Sequence, residues 1–481
     1  MKGALALLVL LAAGCASTLE GQGDCAAWYE ALDRSVDQAG VRDAQYARMD
    51  GFPYLRVDRF HASLADRARV DEHTRRVFAG RLLELDLDAR RFEIANLPHM
   101  PANRAEMVER ARDCGGKLLE AQLAKPAGGL AVVEAARVPD DYSTAARVLG
   151  LYAVTRIPFA YGVRKWEHSR REAVARAPQP RGTKVRFSPP GPPPLARAAV
   201  ARMLERARLD PLGQPAFTER EIELLAETYA PSYEIATAAD YDRFGAVRWP
   251  AGARTPQIDG ADAVVYVHPA YARYGGRALV QLVYTIWFSE RPRAGALDLL
   301  AGRLDGLVWR VTLAPDGEPV IYDSMHPCGC YHEFFPTPRA RPRASPHALE
   351  EWAFVPQWLA RVGDGERPLV RVDSATHLIA GVDTARESDS LVRYSLRAYD
   401  RLRSLPLADG GRRSMFGPDG LVAGTERLER FLFWPMGIAS AGAMRQWGRH
   451  ATAFVGRRHF DDADLIERRF DIEGIERELA R

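Results

Sequence analysis

Lysine is nearly missing from this chain: of its 66 basic residues, 5 are lysine and 61 are arginine. With abundant alanine, 39 glycines and 32 prolines, that bias marks a GC-rich coding sequence rather than a nucleic-acid surface. A formal net charge of +3 over 481 residues is too small to draw a polyanion, so no nucleic-acid partner is expected. Long apolar runs are also absent: beyond the first fifteen residues nothing approaches the ~20 residues that a bilayer span requires. Three common catalytic signatures are missing. There is no His-Glu-x-x-His of the usual zinc proteases, no Gly-x-Ser-x-Gly nucleophile elbow, and no Gly-x-Gly-x-x-Gly after a strand. Cysteine is scarce, with five in the whole chain, so the position of each one matters. What is present is ordinary for a protein with a true core: 47% hydrophobic and 27% charged residues.

The first segment reads Met1-Lys2-Gly-Ala-Leu-Ala-Leu-Leu-Val-Leu-Leu-Ala-Ala-Gly14-Cys15. One cation, then about ten apolar residues, then small residues is the pattern of a secretory signal. Ala12-Ala13-Gly14-Cys15 resembles the lipobox of bacterial lipoproteins, a match confined to residues 1–15. That resemblance implies a signal peptide over 1–14 and a mature chain that starts at a diacylated Cys15. Alanine rather than aspartate at position 16 implies an outer-membrane lipoprotein facing the periplasm of a Gram-negative envelope. The membrane would then be a partner through the N-terminal lipid, and another envelope protein a further candidate partner. An ordinary signal peptide with a chance cysteine is the alternative.

Setting Cys15 aside leaves Cys25, Cys114, Cys328 and Cys330, with three pairings open to them. Outside the cytoplasm thiols tend to be oxidised. Cys25 with Cys114, both in helical sequence, and Cys328 with Cys330 is the expected pairing. The whole reads as an α+β protein. Residues 15–177 form a mostly helical domain, with Asp71 and Asn103 as N-caps of apolar-periodic segments. "PQPRGTKVRFSPPGPPP" (178–194) is expected to be a proline-rich linker without central strand. Within the first domain, "LGLYAVTRIPFAYGV" (150–164) is expected to be a buried strand or helix end. A place on a membrane surface is the alternative, weakened by the lack of a lysine-rich polar face.

The period changes in residues 195–365. "ALVQLVYTIWF" (278–288) puts Val280, Leu282, Tyr284, Ile286 and Phe288 on one face of a strand. "GLVWRVTL", the turn "APDGE" and "PVIYDS" predict a hairpin, and "VVYVH" (264–268) a further strand. Trp287, Trp309, Tyr266, Tyr284 and Tyr322 fall on these strands, where core packing is preferred over a ligand platform. "PTPRARPRASP" (336–346) reads as a surface loop, and 366–481 as a mixed region. The stretch 264–335 resembles segments of uncharacterised proteobacterial envelope proteins to which no reaction is attached.

The densest chemistry is His326-Pro327-Cys328-Gly329-Cys330-Tyr331-His332, placed where a strand ends. Thiolate and imidazole suit zinc or copper, with His326, Cys328, Cys330 and His332 as the ligands and His268 a distant further one. A one-residue gap between cysteines works against chelation by both. A Cys328–Cys330 disulfide is the plainest reading: alternate Cα atoms lie near the upper limit for a bridge, and glycine lets the backbone adapt. A third reading makes Cys330 a nucleophile with His332 as base and Asp323, or Asp305, orienting the imidazole; Cys328 with His326 is its variant. "Cys-Gly-Cys-Tyr" lacks one residue of the papain-like signature and follows a strand, so that family is rejected. In the C-terminal tail "RRHFDDADLIERRF" gathers His459 with Asp461, Asp462 and Asp464, most simply as a loop followed by a solvated helix. These observations lead to an envelope lipoprotein of binding or assembly type, without a cofactor, whose HPCGCYH loop is held by a disulfide. The competing expectation is a periplasmic metal- or thiol-dependent enzyme that uses the same cluster.

Overall fold

Local signals start the helices where the sequence places them. The Asp24 side chain accepts from Ala26 N ahead of α1 (Cys25–Ala39), which ends at Gly40 in the left-handed conformation. The computed structural model describes residues 24–98, 103–176, 182–191, 194–386 and 392–475. The lipobox and Cys15 lie outside them. Strands β1 (Ala47–Met49) and β2 (Phe52–Val57) form a hairpin. Asp71 caps α2 (Glu72–Asn96) as expected, accepting from Thr74 N at 2.8 Å. Asn103 precedes α3 (Arg104–Leu123) but makes no side-chain cap bond. The Cys25–Cys114 disulfide is formed and ties α1 to α3 across 89 residues of chain.

These elements belong to one of two compact units: residues up to Pro139 together with Arg403–Gly420. Its core buries an ion network. Arg56 of β2 meets Asp86 at 3.0 Å and Glu93 at 2.8 Å on α2, and Arg90 binds Glu93 at 3.2 Å and Asp33 at 2.6 Å. Every side chain in that set except Asp33 is shielded almost completely from water.

The second unit comprises Asp140–Leu402 and Leu421–Arg481, so the chain does not divide at 178–194. That stretch contains β3 (Thr183–Ser188), an inner strand and not the strand-free linker expected of it. Prolines flank "TKVRFS" without interrupting it, so its N–H groups remain able to pair. β3 lies antiparallel to β4 (Ser232–Thr237), with Phe187 opposite Tyr233. The predicted meander is present as β5 (Val264–Tyr274), β6 (Arg277–Arg291), β7 (Gly302–Leu313), β8 (Pro319–Met325) and β9 (Glu333–Pro336), all antiparallel neighbours. Beyond them come β10 (Glu366–Val372), β11 (Ile379–Arg386), β12 (Val392–Arg393) and β13 (Ser395–Ala398). One sheet runs β9-β8-β7-β6-β5-β13 and the other β11-β10-β4-β3-β12, an α+β architecture.

Val280, Leu282, Tyr284, Ile286 and Phe288 share one core cluster with Leu307, Trp309, Val311 and Leu313, and with Tyr233, Ile235, Val370 and Val372 of the second sheet. The named strand aromatics are all core residues. The opposite face is covered too: Val283, Val308 and Met325 pack on Phe460, while Leu279 and Ile321 pack on Leu465 and Phe470. That double cover is why β6 is apolar on both faces. The expected loop 336–346 contains a short strand, Ala340–Pro342, paired with Phe470–Ile472.

Residues 150–164 correct another expectation. Most of them form the start of α4 (Tyr152–Arg176), and one apolar side of it faces outward: Val154, Ile157 and Tyr161, with Leu151 just ahead of the helix, are each more than half exposed, while Ala160 is buried. Pro158 lies inside this helix. Arg170, farther along, is buried against Glu333 at 2.9 Å and pins the helix to β9.

Candidate functional site

The HPCGCYH loop begins where β8 stops, and its backbone closes on itself. His326 N donates to Cys330 O at 2.9 Å and Gly329 N to His326 O at 2.8 Å. Gly329 has φ +87°, and a Cβ there would stand 2.4 Å from Ala451 O, so glycine is required both by conformation and by contact. The C-terminal region grips the loop by its carbonyls: Arg445 N and His450 Nε2 donate to Pro327 O, and Arg445 Nε to Cys328 O. Tyr331 adopts φ +59° and His377 +52°, with Leu304 beside Asp305 at +53°. Each left-handed non-glycine costs ~1–3 kcal/mol, strain that collects around functional groups.

The two histidines of the motif turn to separate carboxylates. His326 Nδ1 lies 3.1 Å from Asp305 Oδ1, and His377 Nδ1 lies 2.9 Å from Asp305 Oδ2. Burial opposes charge on His377, but Asp242 and Asp305 on either side outweigh it and raise its pKa. Burial also acts on His326, and there it prevails over Asp305, so its pKa is lowered. Both His326 ring nitrogens face acceptors, Nδ1 the Asp305 carboxylate and Nε2 the His377 carbonyl at 3.2 Å. Burial opposes ionisation of Asp305 as well, yet His326, Arg427 and His377 hold it well below the ordinary carboxylate range.

His332 Nε2 lies 2.9 Å from Asp323 Oδ2, and Arg310 forks onto the same carboxylate. Burial pushes His332 down to about 3, so the ring is neutral, with Nε2–H on Asp323. Its Nδ1 is thus a buried acceptor, without a partner among the described residues. The Asp323–His332 pair of the expected triad is present.

The cysteines depart from expectation. Cys328 and Cys330 are free thiols, not a disulfide. The two thiols act on one another's titration, and His332 Nδ1 takes no bond from either. Burial alone raises both; at Cys328 the neighbouring Cys330 thiol and the charge of Arg427 prevail and lower it. At Cys330 the Cys328 neighbour, then burial, push the thiol well up. The Cys-Gly-Cys turn is closed by its own backbone bonds and needs no bridge to hold its shape.

The expected metal set does not converge either. His326 and His332 engage Asp305 and Asp323, and among the described residues no group of three or more His, Cys, Asp or Glu side chains is arranged to hold a metal ion. His268 packs between Tyr399 and Trp447. In the tail, His459 lies 3.5 Å from each of Asp140, Asp141 and Asp462, with Leu465 and Ile466 of the following helix buried rather than solvated.

Cys328, Cys330 and His332 line a cavity of about 480 Å³. Most of its wall is apolar: Phe159 and Trp166 of α4, Phe354, Phe433 and Phe454. Glu429 joins Glu167, Glu351 and Arg458 as its charged members, none foreseen as part of a site. Burial raises the Glu429 carboxyl to about 7, against the pull of Arg427 and Arg291. Arg427, one residue pair away, is buried with Nη2 3.3 Å from Asp305 Oδ1, and its charge reaches both thiols and Glu429. Sequence reading missed Arg427, Glu429, Asp242 and His377. The one signal available was inverted polarity in "TERLERFLF" (425–433), where the charged 427 and 429 are buried while Leu428, Phe431 and Leu432 are exposed.

No family model, curated protein or solved structure matches this chain.

Proposed function

We propose that this chain is an exported, lipid-anchored envelope protein that binds an apolar ligand in the cavity of its second unit, against a reduced thiol pair. The lipobox supports export and anchoring at Cys15. The observation that carries the binding reading is an aromatic-walled cavity of about 480 Å³ with two free thiols and Glu429 on its wall. A mostly apolar pocket with a few convergent, perturbed polar groups is the usual form of a small-molecule site. The thiol loop then serves as a wall of the site rather than as a disulfide-pinned spacer. Cysteine-dependent chemistry on the bound ligand is the second reading. It is favoured by Cys328, a thiol lowered by its neighbour and by Arg427, close to a carboxyl that titrates near neutrality.

The test is thiol alkylation of the full chain, purified without reductant, in the presence and absence of a soluble naphthalene-type probe. Binding in the cavity predicts two titratable thiols beyond any at Cys15 and slower alkylation of Cys330 with the probe present. Two thiols alkylated at the same rate with and without probe would sink the cavity reading. A Cys328–Cys330 bridge in the native protein would sink the reduced-thiol reading.

A further inference from the structure

Three segments that line the cavity also carry a collar of exposed apolar side chains. Apart from Val70, Leu209 and Trp358, every large exposed hydrophobic among the described residues falls on one of these three segments. Val148, Leu149, Leu151, Val154, Ile157 and Tyr161 come from the turn into α4, whose Pro158, Phe159 and Gly162 line the cavity. Leu428, Phe431, Leu432 and Trp434 come from the segment that supplies Glu429 and Phe433. Leu297 and Leu299 come from the loop that supplies Leu300.

The collar is built, not frayed. Arg147 donates to Met436 O at 2.8 Å and to Gly456 O at 2.7 Å, with its guanidinium over the rings of Tyr142 and Tyr152. A Cβ on Gly150 would stand 2.5 Å from Pro435, so the two largest collar segments touch backbone to ring. Contiguous exposed apolar surface of this kind marks an interaction face.

We propose that this collar docks the second unit on an anionic lipid bilayer and that the cavity takes an acyl chain of a membrane lipid; the second half rests on the ligand-binding reading above. Three observations favour a bilayer over a protein partner. The segments that carry the collar also supply the apolar wall of the cavity, so a chain held on the collar lies beside that wall. Tyr161 and Trp434 stand in the collar, the residue types that settle at membrane interfaces. Past its apolar start, α4 exposes Arg164, Lys165, Arg171 and Arg176 against Glu172 and a half-buried Glu167, a charge balance complementary to anionic headgroups. Within the cavity the partnerless Nδ1 of His332 and the Glu429 carboxyl, which is half protonated near neutrality, offer an acceptor and a donor to the polar end of such a lipid.

The experiment reconstitutes the full, anchored chain into phosphatidylglycerol vesicles whose acyl chains are brominated and reads quenching of tryptophan emission. Docking predicts quenching that falls in Trp434→Phe and is mostly lost in the I157E/F431E double variant, with the unfolding midpoint of the double variant unchanged. Entry of a chain into the cavity predicts a further component that Trp166→Phe removes. Equal quenching in the parent and in I157E/F431E would mean that the anchor alone brings the protein near lipid, and would overturn the docking proposal. Quenching without a Trp166 component would overturn the acyl-chain proposal. A protein that copurifies with the parent and is lost with I157E/F431E, without any loss of quenching, would assign the collar to a protein partner instead. Probe protection of the thiols is measured separately, so the cavity reading can stand where the lipid proposal falls.

Discussion

The two units bury charge and sulfur in opposite ways. In the first, Arg56 and Arg90 face Asp86, Glu93 and Asp33, and Cys25 is joined to Cys114. In the second, Asp305 is shared by two imidazoles and Arg427, His332 keeps a bare acceptor, and Cys328 and Cys330 are open. Groups fixed in one protonation state with their partners in place hold a fold together. Groups left with spare valence, near-neutral titration and backbone strain beside a cavity are poised to meet something else.

The sharpest way to break this contrast is to remove each cysteine pair in turn. Cys25→Ser/Cys114→Ser opens a closed loop of 89 residues, and loop-closure entropy of that length is worth about 4–5 kcal/mol, read by denaturant unfolding of the first unit. Cys328→Ser/Cys330→Ser should cost under about 1 kcal/mol, because no bridge is lost and the backbone bonds that close the turn remain. Comparable losses from the two double variants would end the distinction.

A smaller effect is expected from Arg56→Met, which leaves Glu93 without its main partner and Asp86 with Arg90 alone in a site closed to water. Destabilisation of about 3–4 kcal/mol follows from an uncompensated buried charge. A change below about 1 kcal/mol would mean that Arg48 and Arg90 absorb the loss.

The third prediction is a pH dependence confined to the second unit. Folding raises Glu429 from the ordinary 4.5 to about 7, so the native state holds the proton more tightly. Its contribution to stability is present below pH 4.5 and is lost as pH rises through 7, by up to about 3 kcal/mol. Glu429→Gln should flatten that part of the stability profile. It should also speed alkylation of Cys328 at pH 8, since the ionised carboxylate raises the thiol it faces. An unchanged profile would remove Glu429 from the site.

Much of the middle sheet was legible in advance, because alternation over β6 and β7 and the turn "APDGE" are local and agree with one another. The cap at Asp71 was legible for the same reason. The strand hidden between prolines was not. Proline density suggested a linker, and only pairing with Ser232–Thr237 shows that the intervening six residues keep their donors. The outward face of α4 was misread because an apolar segment is buried by default, and its exposure depends on what the rest of the chain leaves uncovered.

The sequence alone determined the compartment expectation at Cys15, the α+β pattern, the position of the thiol motif after a strand and the Asp323–His332 neighbourhood, since each depends on residues close together in the chain or on adjacent strands. Tertiary structure decided the rest. The cavity joins residues as far apart as Phe159, Cys330, Glu429 and Phe454, and the pKa values of Glu429 and His332 arise from burial, which no local spacing encodes. The fate of Cys328 and Cys330 was settled in the same way. Their spacing allowed a bridge, but the backbone turn closed by His326 and Cys330, gripped by Arg445 and His450, holds the loop without one.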